Sequence, residues 1–245
     1  MGSVTPTPSS RFVTTLERKY GRNALPNMFD AKAKEPSARP YAYVLTTPNP
    51  ADGFEELTYT MLANAVNRAS WWLVNDVSLA EGEVFGYMVS SDSRYLILSL
   101  SSAKTGRKIM LPSLRNTISA QKTLFERTNV SIILYANELK KNIQPLFDAL
   151  PEIKTREAIG FKEVLDSTVV PHYDAREITD ENFTEPMFFL HTSGSSGNPK
   201  PVGQSPAFWL TTCSFLDVPE DGGDIHNTIH LISNATLLQF FPPFH

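Results

Sequence analysis

Strand-like and helix-like segments alternate along residues 84–150, and this alternation limits the fold more than any other feature of the sequence. Short apolar runs are typical of buried strands, and three occur here, at residues 84–89, 108–111 and 130–135. Helical patterns follow them, at residues 93–104, 118–127 and 143–150. Strands that alternate with helices are joined by crossover connections, so the pattern predicts a largely parallel sheet covered on both faces, the architecture of an α/β protein.

Ahead of this region the sequence predicts a hairpin and a long helix. Residues 41–46 and 56–59 have the composition of two short strands, with turn residues between them. Along residues 59–74, apolar side chains recur at the spacing of an amphipathic helix that buries one face.

Three helix ends carry specific signals. Ser91 or Asp92 is suited to cap the helix that follows, and Gly106 is suited to end that helix in the left-handed conformation. Ser205 before Pro206 is typical of another helix start.

The composition is that of a folded globular protein. The 245 residues are 41% hydrophobic and 20% charged, unlike chains that stay disordered. The net charge of −4 argues against a nucleic-acid binder, a class that usually carries a basic stripe. Cys213 is the single cysteine, which excludes internal disulfides and a cysteine-rich zinc cluster.

Residues 1–24, rich in Ser, Thr and Pro at their start, are expected to be loosely ordered, ahead of a domain at 25–245.

Membrane association and export are not expected. No apolar run approaches the roughly 18 to 20 residues that a membrane-spanning helix needs. The N-terminus has neither the basic start nor the apolar stretch of a signal peptide. The sequence therefore predicts a soluble cytoplasmic protein.

The segment after residues 187–190 predicts a phosphate-binding loop. Residues 192–197 are drawn only from Thr, Ser and Gly, and Lys200 follows closely. Small residues let backbone amides converge on a polyanion, while hydroxyl groups and a lysine add donors and charge. The predicted helix start at Ser205 would place a partial positive charge against the end of the loop.

A flexible Gly/Ser linker is the alternative explanation of the same segment. The apolar run immediately upstream and the Pro199-Lys200 pair after the glycines count against a linker. The spacing of Gly194 and Gly197 fits neither a Walker loop nor a dinucleotide fingerprint, so those two nucleotide-binding motifs are excluded.

The letters TSGSSGNPK at 192–200 resemble the phosphate-loop signature of the adenylate-forming (AMP-binding) superfamily. Residues 57–59, followed by a helix that contains Asn67, resemble the first core motif of adenylation domains, and residues 108–114 resemble the second. Residues 241–245 resemble a later motif that lines the acyl pocket. The resemblance runs from about residue 25 to residue 245 and implies the N-terminal portion of the large adenylation subdomain.

This resemblance implies that a carboxylic acid is joined to the α-phosphate of ATP, used with Mg²⁺, and that the acyl adenylate then passes to a thiol. Phe244 and His245 would face the acyl group. The residues that would hold the β- and γ-phosphates are Thr192, Ser193, Gly194, Ser195, Ser196, Gly197 and Lys200.

His191 and the run Lys200-Pro201-Val202 look most like fungal NRPS-like adenylate-forming reductases of secondary metabolism. The resemblance then implies a phosphopantetheine carrier domain and a reductase domain as partners of the adenylation domain.

The sequence departs from the family after His245, where the adenine-binding segment, the ribose-binding acid, the hinge and the C-terminal lobe with its catalytic lysine would follow. We therefore expect a truncated adenylation domain, with no catalytic residue or metal ligand that can be named. The alternatives are a non-catalytic ATP-binding remnant and an interaction fragment.

His226 and His230 have the spacing of two zinc ligands on a helix, but no third ligand is evident and no metal site is predicted.

Overall fold

The computed structural model describes residues 13–35, 40–45, 50–90, 92–192 and 199–213. The strands in these residues are β1 (Ala42–Leu45), β2 (Phe54–Leu57), β3 (Val84–Met88), β4 (Lys108–Met110), β5 (Val130–Tyr135), β6 (Lys154–Glu157), β7 (Phe188–His191) and β8 (Pro201–Gln204). The α-helices are α1 (Thr15–Tyr20), α2 (Ala24–Lys32), α3 (Tyr59–Trp71), α4 (Arg94–Thr105), α5 (Ile118–Thr128), α6 (Lys140–Ala149), α7 (Phe161–Val164) and α8 (Pro206–Thr212).

A six-stranded sheet organises these elements in the order β6-β5-β3-β4-β7-β8. Every neighbouring pair from β6 to β7 is parallel, and only the edge pair β7–β8 is antiparallel. The predicted hairpin forms a separate two-stranded sheet from β1 and β2. The α/β class and the largely parallel sheet are therefore confirmed.

Strand β3 shows why the sheet is covered on both faces. Its five residues are all buried, and successive side chains point to opposite faces. Phe85 and Tyr87 pack with the apolar faces of α3 and α4. Val84 and Met88 pack with those of α5 and α6. Two apolar clusters thus hold helices on the two sides, as the continuous apolar strand pattern predicts.

Local signals fix several helix ends. The side chains of Thr58 and Thr117 cap α3 and α5 by accepting hydrogen bonds from first-turn amides. Gly106 ends α4 with a φ of 74°, which confirms the predicted left-handed end. Ser93 occupies the cap position of α4, and the Asp92 carboxylate accepts from the Arg94 amide at 2.9 Å. Ser91, the other predicted cap, lies outside the described residues.

Several elements differ from the sequence predictions, among them helix α2 and the following two. Helix α1 lies inside residues 1–24, so the expectation of loose order is wrong for Thr15–Tyr20, where the Thr14 side chain caps a helix. Strand β8 is also absent from the predictions, because four residues with one glycine and one proline give little strand signal. The division of the chain at residue 25 stays a prediction.

None of the helices in the described part of the chain is long and apolar enough to span a bilayer.

Candidate functional site

The predicted phosphate loop connects β7 to β8 at the carboxyl edge of the parallel strands. Strand β7 lies beside β4 in register Met110↔Phe189, and the chain returns antiparallel, with His191 opposite Pro201. Ligands of α/β proteins bind outside the carboxyl ends of the strands. The described ends of the segment, Thr192 and Lys200, lie beside paired strands of one sheet, which favours a binding loop over a linker between domains.

Thr192 and Lys200 face each other where this hairpin opens. The Thr192 amide donates a hydrogen bond to the Lys200 carbonyl at 3.1 Å. Both residues are exposed, and Pro199, directly before Lys200, is buried. No described residue pairs with the Lys200 side chain, which leaves its ammonium group available to an anion. The structure thus brings together two of the predicted phosphate-binding residues.

The remaining predicted site residues lie outside the described part of the chain, so their placement stays a prediction. They are Ser193, Gly194, Ser195, Ser196, Gly197, Phe244 and His245. The same holds for His226 and His230.

His191, the last residue of β7, is held between two segments. Its Nε2 accepts a hydrogen bond from the Ser113 backbone amide at 2.9 Å and lies 3.3 Å from the Asn116 side-chain nitrogen. Its Nδ1 lies 3.2 Å from the Thr192 carbonyl oxygen. A backbone amide can only donate, so Nε2 is the acceptor, and we assign the ring proton to Nδ1 from this bonding pattern.

The turn that reaches His191 is itself held by hydrogen bonds. Ser113 is buried, its carbonyl accepts from the Asn116 amide at 3.1 Å and from the Gln121 side chain at 3.2 Å, and its hydroxyl accepts from the Arg115 amide at 3.2 Å. Sequence reasoning missed Ser113 and Asn116 as site residues. The available signals were the resemblance of residues 108–114 to a core motif and the position of the loop after β4, at the edge where ligands bind.

Arg94, which follows β3 at the same edge, is bound internally. Its guanidinium lies 2.8 Å from the Asp92 carboxylate and donates to the Ile159 carbonyl at 3.3 Å. Burial by itself lowers the pKa of Arg94, but the hydrogen bonds to Asp92 and the charge interactions with Tyr87, Asp92 and Glu138 together more than offset this effect, so the pKa is raised. Because its charge is already paired, we assign Arg94 a structural role.

The predicted contact of the loop with a helix start is wrong. The Ser205 side chain does cap α8 by accepting from the Phe208 amide at 3.1 Å, as the sequence predicts. Strand β8 intervenes between Lys200 and Ser205, however, and its four residues span about 13 Å. The N-terminal charge of α8 therefore lies away from the mouth of the hairpin.

Two further features bear on ligands. Within the described residues, no group of three or more His, Cys, Asp or Glu side chains could hold a metal ion. A cleft of about 350 Å³, lined by Lys104, Arg107 and Arg176 among others, opens at the opposite edge of the sheet, near the start of β4. That cleft belongs to a different edge from Thr192 and Lys200.

The sequence of this chain matches a protein family and several curated proteins. A model of the AMP-binding enzyme family matches residues 29–245. The chain is 28% identical over 212 residues to a carboxylic acid reductase of Neurospora crassa, which covers 83% of this chain and 20% of that protein. It is 26% identical over 187 residues to an isocyanide synthase-NRPS hybrid of Aspergillus fumigatus, covering 75% of this chain and 12% of that protein. The chain thus spans a fifth or less of these curated relatives.

Solved structures give the same fold. VinN in complex with 3-methylaspartate has a TM-score of 0.59 at 14% identity, covering 79% of this chain and 50% of that chain. The fatty acyl CoA synthetase of Mycobacterium tuberculosis has a TM-score of 0.57 at 18% identity, covering 78% and 35%. At such identities the likeness concerns the fold alone.

Proposed function

Because the chain belongs to the AMP-binding enzyme family, we propose that it forms part of an enzyme that activates a carboxylic acid with ATP. The superfamily resemblance of the sequence is confirmed by the family match, and the expected α/β portion of an adenylate-forming fold by the solved structures. The observation that carries the proposal is the position of the Thr/Ser/Gly segment, inside the family match and at the carboxyl edge of the sheet.

In the proposed reaction, a carboxylate oxygen of the acid attacks the α-phosphorus of ATP. The bond to the β-phosphate breaks, pyrophosphate leaves with its electron pair, and an acyl adenylate remains. The protein contributes mainly position and charge neutralisation, since both reactants are anions.

The described residues fit a polyphosphate. The exposed ammonium of Lys200 has no partner among them, and Thr192 beside it offers a hydroxyl group. These two residues, together with residues 193–197, would hold the β- and γ-phosphates. Mg²⁺, when bound, would neutralise phosphate charge, and its ligands are not assigned.

The finer proposals follow the fungal relatives. We place the chain in a multidomain carboxylic acid reductase of secondary metabolism, in which a phosphopantetheine carrier domain and a reductase domain take up the acyl group. Residues 25–245 would be the AMP-binding portion, with Phe244 and His245 facing the acid, and the enzyme would be cytoplasmic. The likeness to the Neurospora crassa carboxylic acid reductase supports the carboxylic acid reductase part of this assignment.

The test is carboxylate-dependent exchange of labelled pyrophosphate into ATP, with aryl and aliphatic acids. It is run on the 245 residues and on the full product of the native transcript. Lys200→Ala should reduce exchange strongly in whichever form is active, because it removes the free ammonium at the hairpin mouth. Lys141→Ala, at an exposed lysine of α6, is the matched control and should exchange like wild type. Absence of exchange from both wild-type forms, checked as folded, would refute the proposal.

A second candidate is a non-catalytic role for these 245 residues by themselves. An ATP-binding remnant would bind Mg·ATP without exchange, and Lys200→Ala would weaken that binding. An interaction fragment would instead need a partner for apolar surface such as Val202 and Phe208, which are 42% and 44% exposed. A soluble monomer with cooperative unfolding would argue against the interaction fragment.

A further inference from the structure

The imidazole of His191 joins the end of β7 to the turn after β4, two segments 78 residues apart in sequence. We propose that His191 is a positioning residue, which fixes Thr192 at the start of the phosphate loop by anchoring it to Ser113. The inference rests on the proposed function, since it assigns His191 to the ATP-binding step of that site.

Both backbone polar groups of Thr192 are engaged. Its amide donates to the Lys200 carbonyl at 3.1 Å, and its carbonyl accepts from the His191 Nδ1–H at 3.2 Å. The first bond closes the hairpin. The second fixes the Thr192 carbonyl group.

Ser113, the hydrogen-bond partner of His191 Nε2, is held in a fixed position. Ser113 is 5% exposed, and the turn that contains it is bound to the first turns of α5 through Gln121. The Ser113 amide therefore presents a fixed donor to Nε2. The ring transmits this fixed position to Thr192, which is exposed.

Histidine meets a requirement here that few side chains can. The site needs an acceptor at the far end of the side chain, for Ser113, and a donor near the backbone, for Thr192. The Nδ1–H tautomer supplies both. Glutamine has a far oxygen that can accept from Ser113, asparagine is too short to reach it, and phenylalanine fills the space with neither function.

The position of Thr192 should affect how the phosphate loop binds ATP. A phosphate loop acts through amides and hydroxyls that converge on the ligand, and a misplacement of about 1 Å can cost about 100-fold in rate. Loss of the anchor should therefore raise the KM for Mg·ATP while the protein stays folded.

The kinetic test uses three variants at one position, in the form of the protein that is active in exchange. His191→Phe and His191→Asn should raise the KM for ATP about 10-fold or more, and His191→Gln, which keeps an acceptor for Ser113 but has no donor near the Thr192 carbonyl, should raise it less. A purely structural role would lower the fraction of active protein, and hence kcat, without changing KM. Equal KM values in wild type and His191→Phe would overturn the proposal.

A second readout does not depend on activity. Spectra of protein labelled with ¹⁵N-histidine, assigned with His191→Gln, should show a protonated Nδ1 and an unprotonated Nε2 at His191. The Ser113 amide should be protected from hydrogen exchange in wild type and lose that protection in His191→Phe. A protonated Nε2, or unchanged Ser113 protection in His191→Phe, would overturn the anchor. If wild type shows the anchor but no exchange of pyrophosphate, the proposed function fails and the inference about ATP fails with it, while the geometry stands.

Discussion

Removal of the Asp30 carboxylate should destabilise the fold by about 3–5 kcal/mol, because it leaves a buried ammonium group without its counter-charge. The Lys104 side chain is fully buried. Its Nζ donates to the two Asp30 carboxylate oxygens at 2.9 and 2.7 Å and to the Asn67 side-chain oxygen at 2.8 Å. Asp30→Asn keeps the size of the side chain and removes the charge.

Deprotonation sets the upper limit of this cost. In the variant, Lys104 can lose its proton instead of staying charged. Deprotonating an amine with an ordinary pKa of 10.5 at pH 7 costs about 4.8 kcal/mol of free energy, because the difference is 3.5 pKa units and each unit corresponds to about 1.36 kcal/mol. The expected loss for Asp30→Asn therefore lies at or below this value.

Substitution of the other partner, Lys104, should lower the free energy of unfolding by less than Asp30→Asn does. Lys104→Met leaves the Asp30 carboxylate, whose side chain is 14% exposed and can reach water. The double variant Asp30→Asn/Lys104→Met should be more stable than Asp30→Asn alone, because it no longer buries an unpaired charge.

Urea unfolding followed by circular dichroism measures these differences. Glu126→Gln is the control, because it breaks the exposed Lys122–Glu126 pair on α5, and it should cost much less than Asp30→Asn. The reasoning is refuted if Asp30→Asn costs no more than this control, or if the double variant is no more stable than Asp30→Asn.

The pKa of Lys104 also predicts how the unfolding free energy changes with pH. Burial lowers the pKa of Lys104, an effect that its hydrogen bond to Asp30 opposes, so the unfolded state binds more protons between the folded pKa and 10.5. The unfolding free energy contributed by this group therefore rises with pH across that window. Lys104→Met should lack this rise when its pH profile is compared with that of wild type.

Four other substitutions test the packing, a buried hydroxyl group and a helix cap through unfolding free energies. Gly86→Ala should cost about 1–3 kcal/mol, because a Cβ would lie 2.9 Å from two ring carbons of buried Phe125. Gly160→Ala, where the nearest atom is 3.6 Å away, should stay within about 1 kcal/mol of wild type, and equal losses at the two glycines would contradict the packing argument. The Tyr87 hydroxyl is buried without a partner among the described residues, so Tyr87→Phe should cost nothing at neutral pH, and a loss above about 1 kcal/mol would reveal a hidden partner. Burial also raises the pKa of Tyr87 above 10, so stability present below pH 10 is lost at higher pH, and this loss should be smaller in Tyr87→Phe. Thr117→Ala should cost about 1 kcal/mol, because it removes the cap of α5, and a neutral result would contradict the capping bond.

Many elements were predictable because their signals are local. The strand at 130–135, the end of α4 at Gly106 and the cap of α8 at Ser205 each depend on a few neighbouring residues, and the structure confirms them. Strand β8 was not predictable in this way. Its four residues carry a weak pattern, and it is held in place by pairing with β7.

For the site, the sequence by itself determined the kind of chemistry. The run of Thr, Ser and Gly with Lys200 indicated phosphate binding, and its resemblance indicated the family, because both are properties of a short continuous segment. The tertiary structure alone decided which other residues meet that segment. Ser113 reaches His191 only because the sheet sets β4 beside β7, and the charge of Lys104 is tolerable only because Asp30 on a different helix lies against it. Such contacts join residues 74 to 78 positions apart, and no local pattern specifies them because they depend on the arrangement of whole elements.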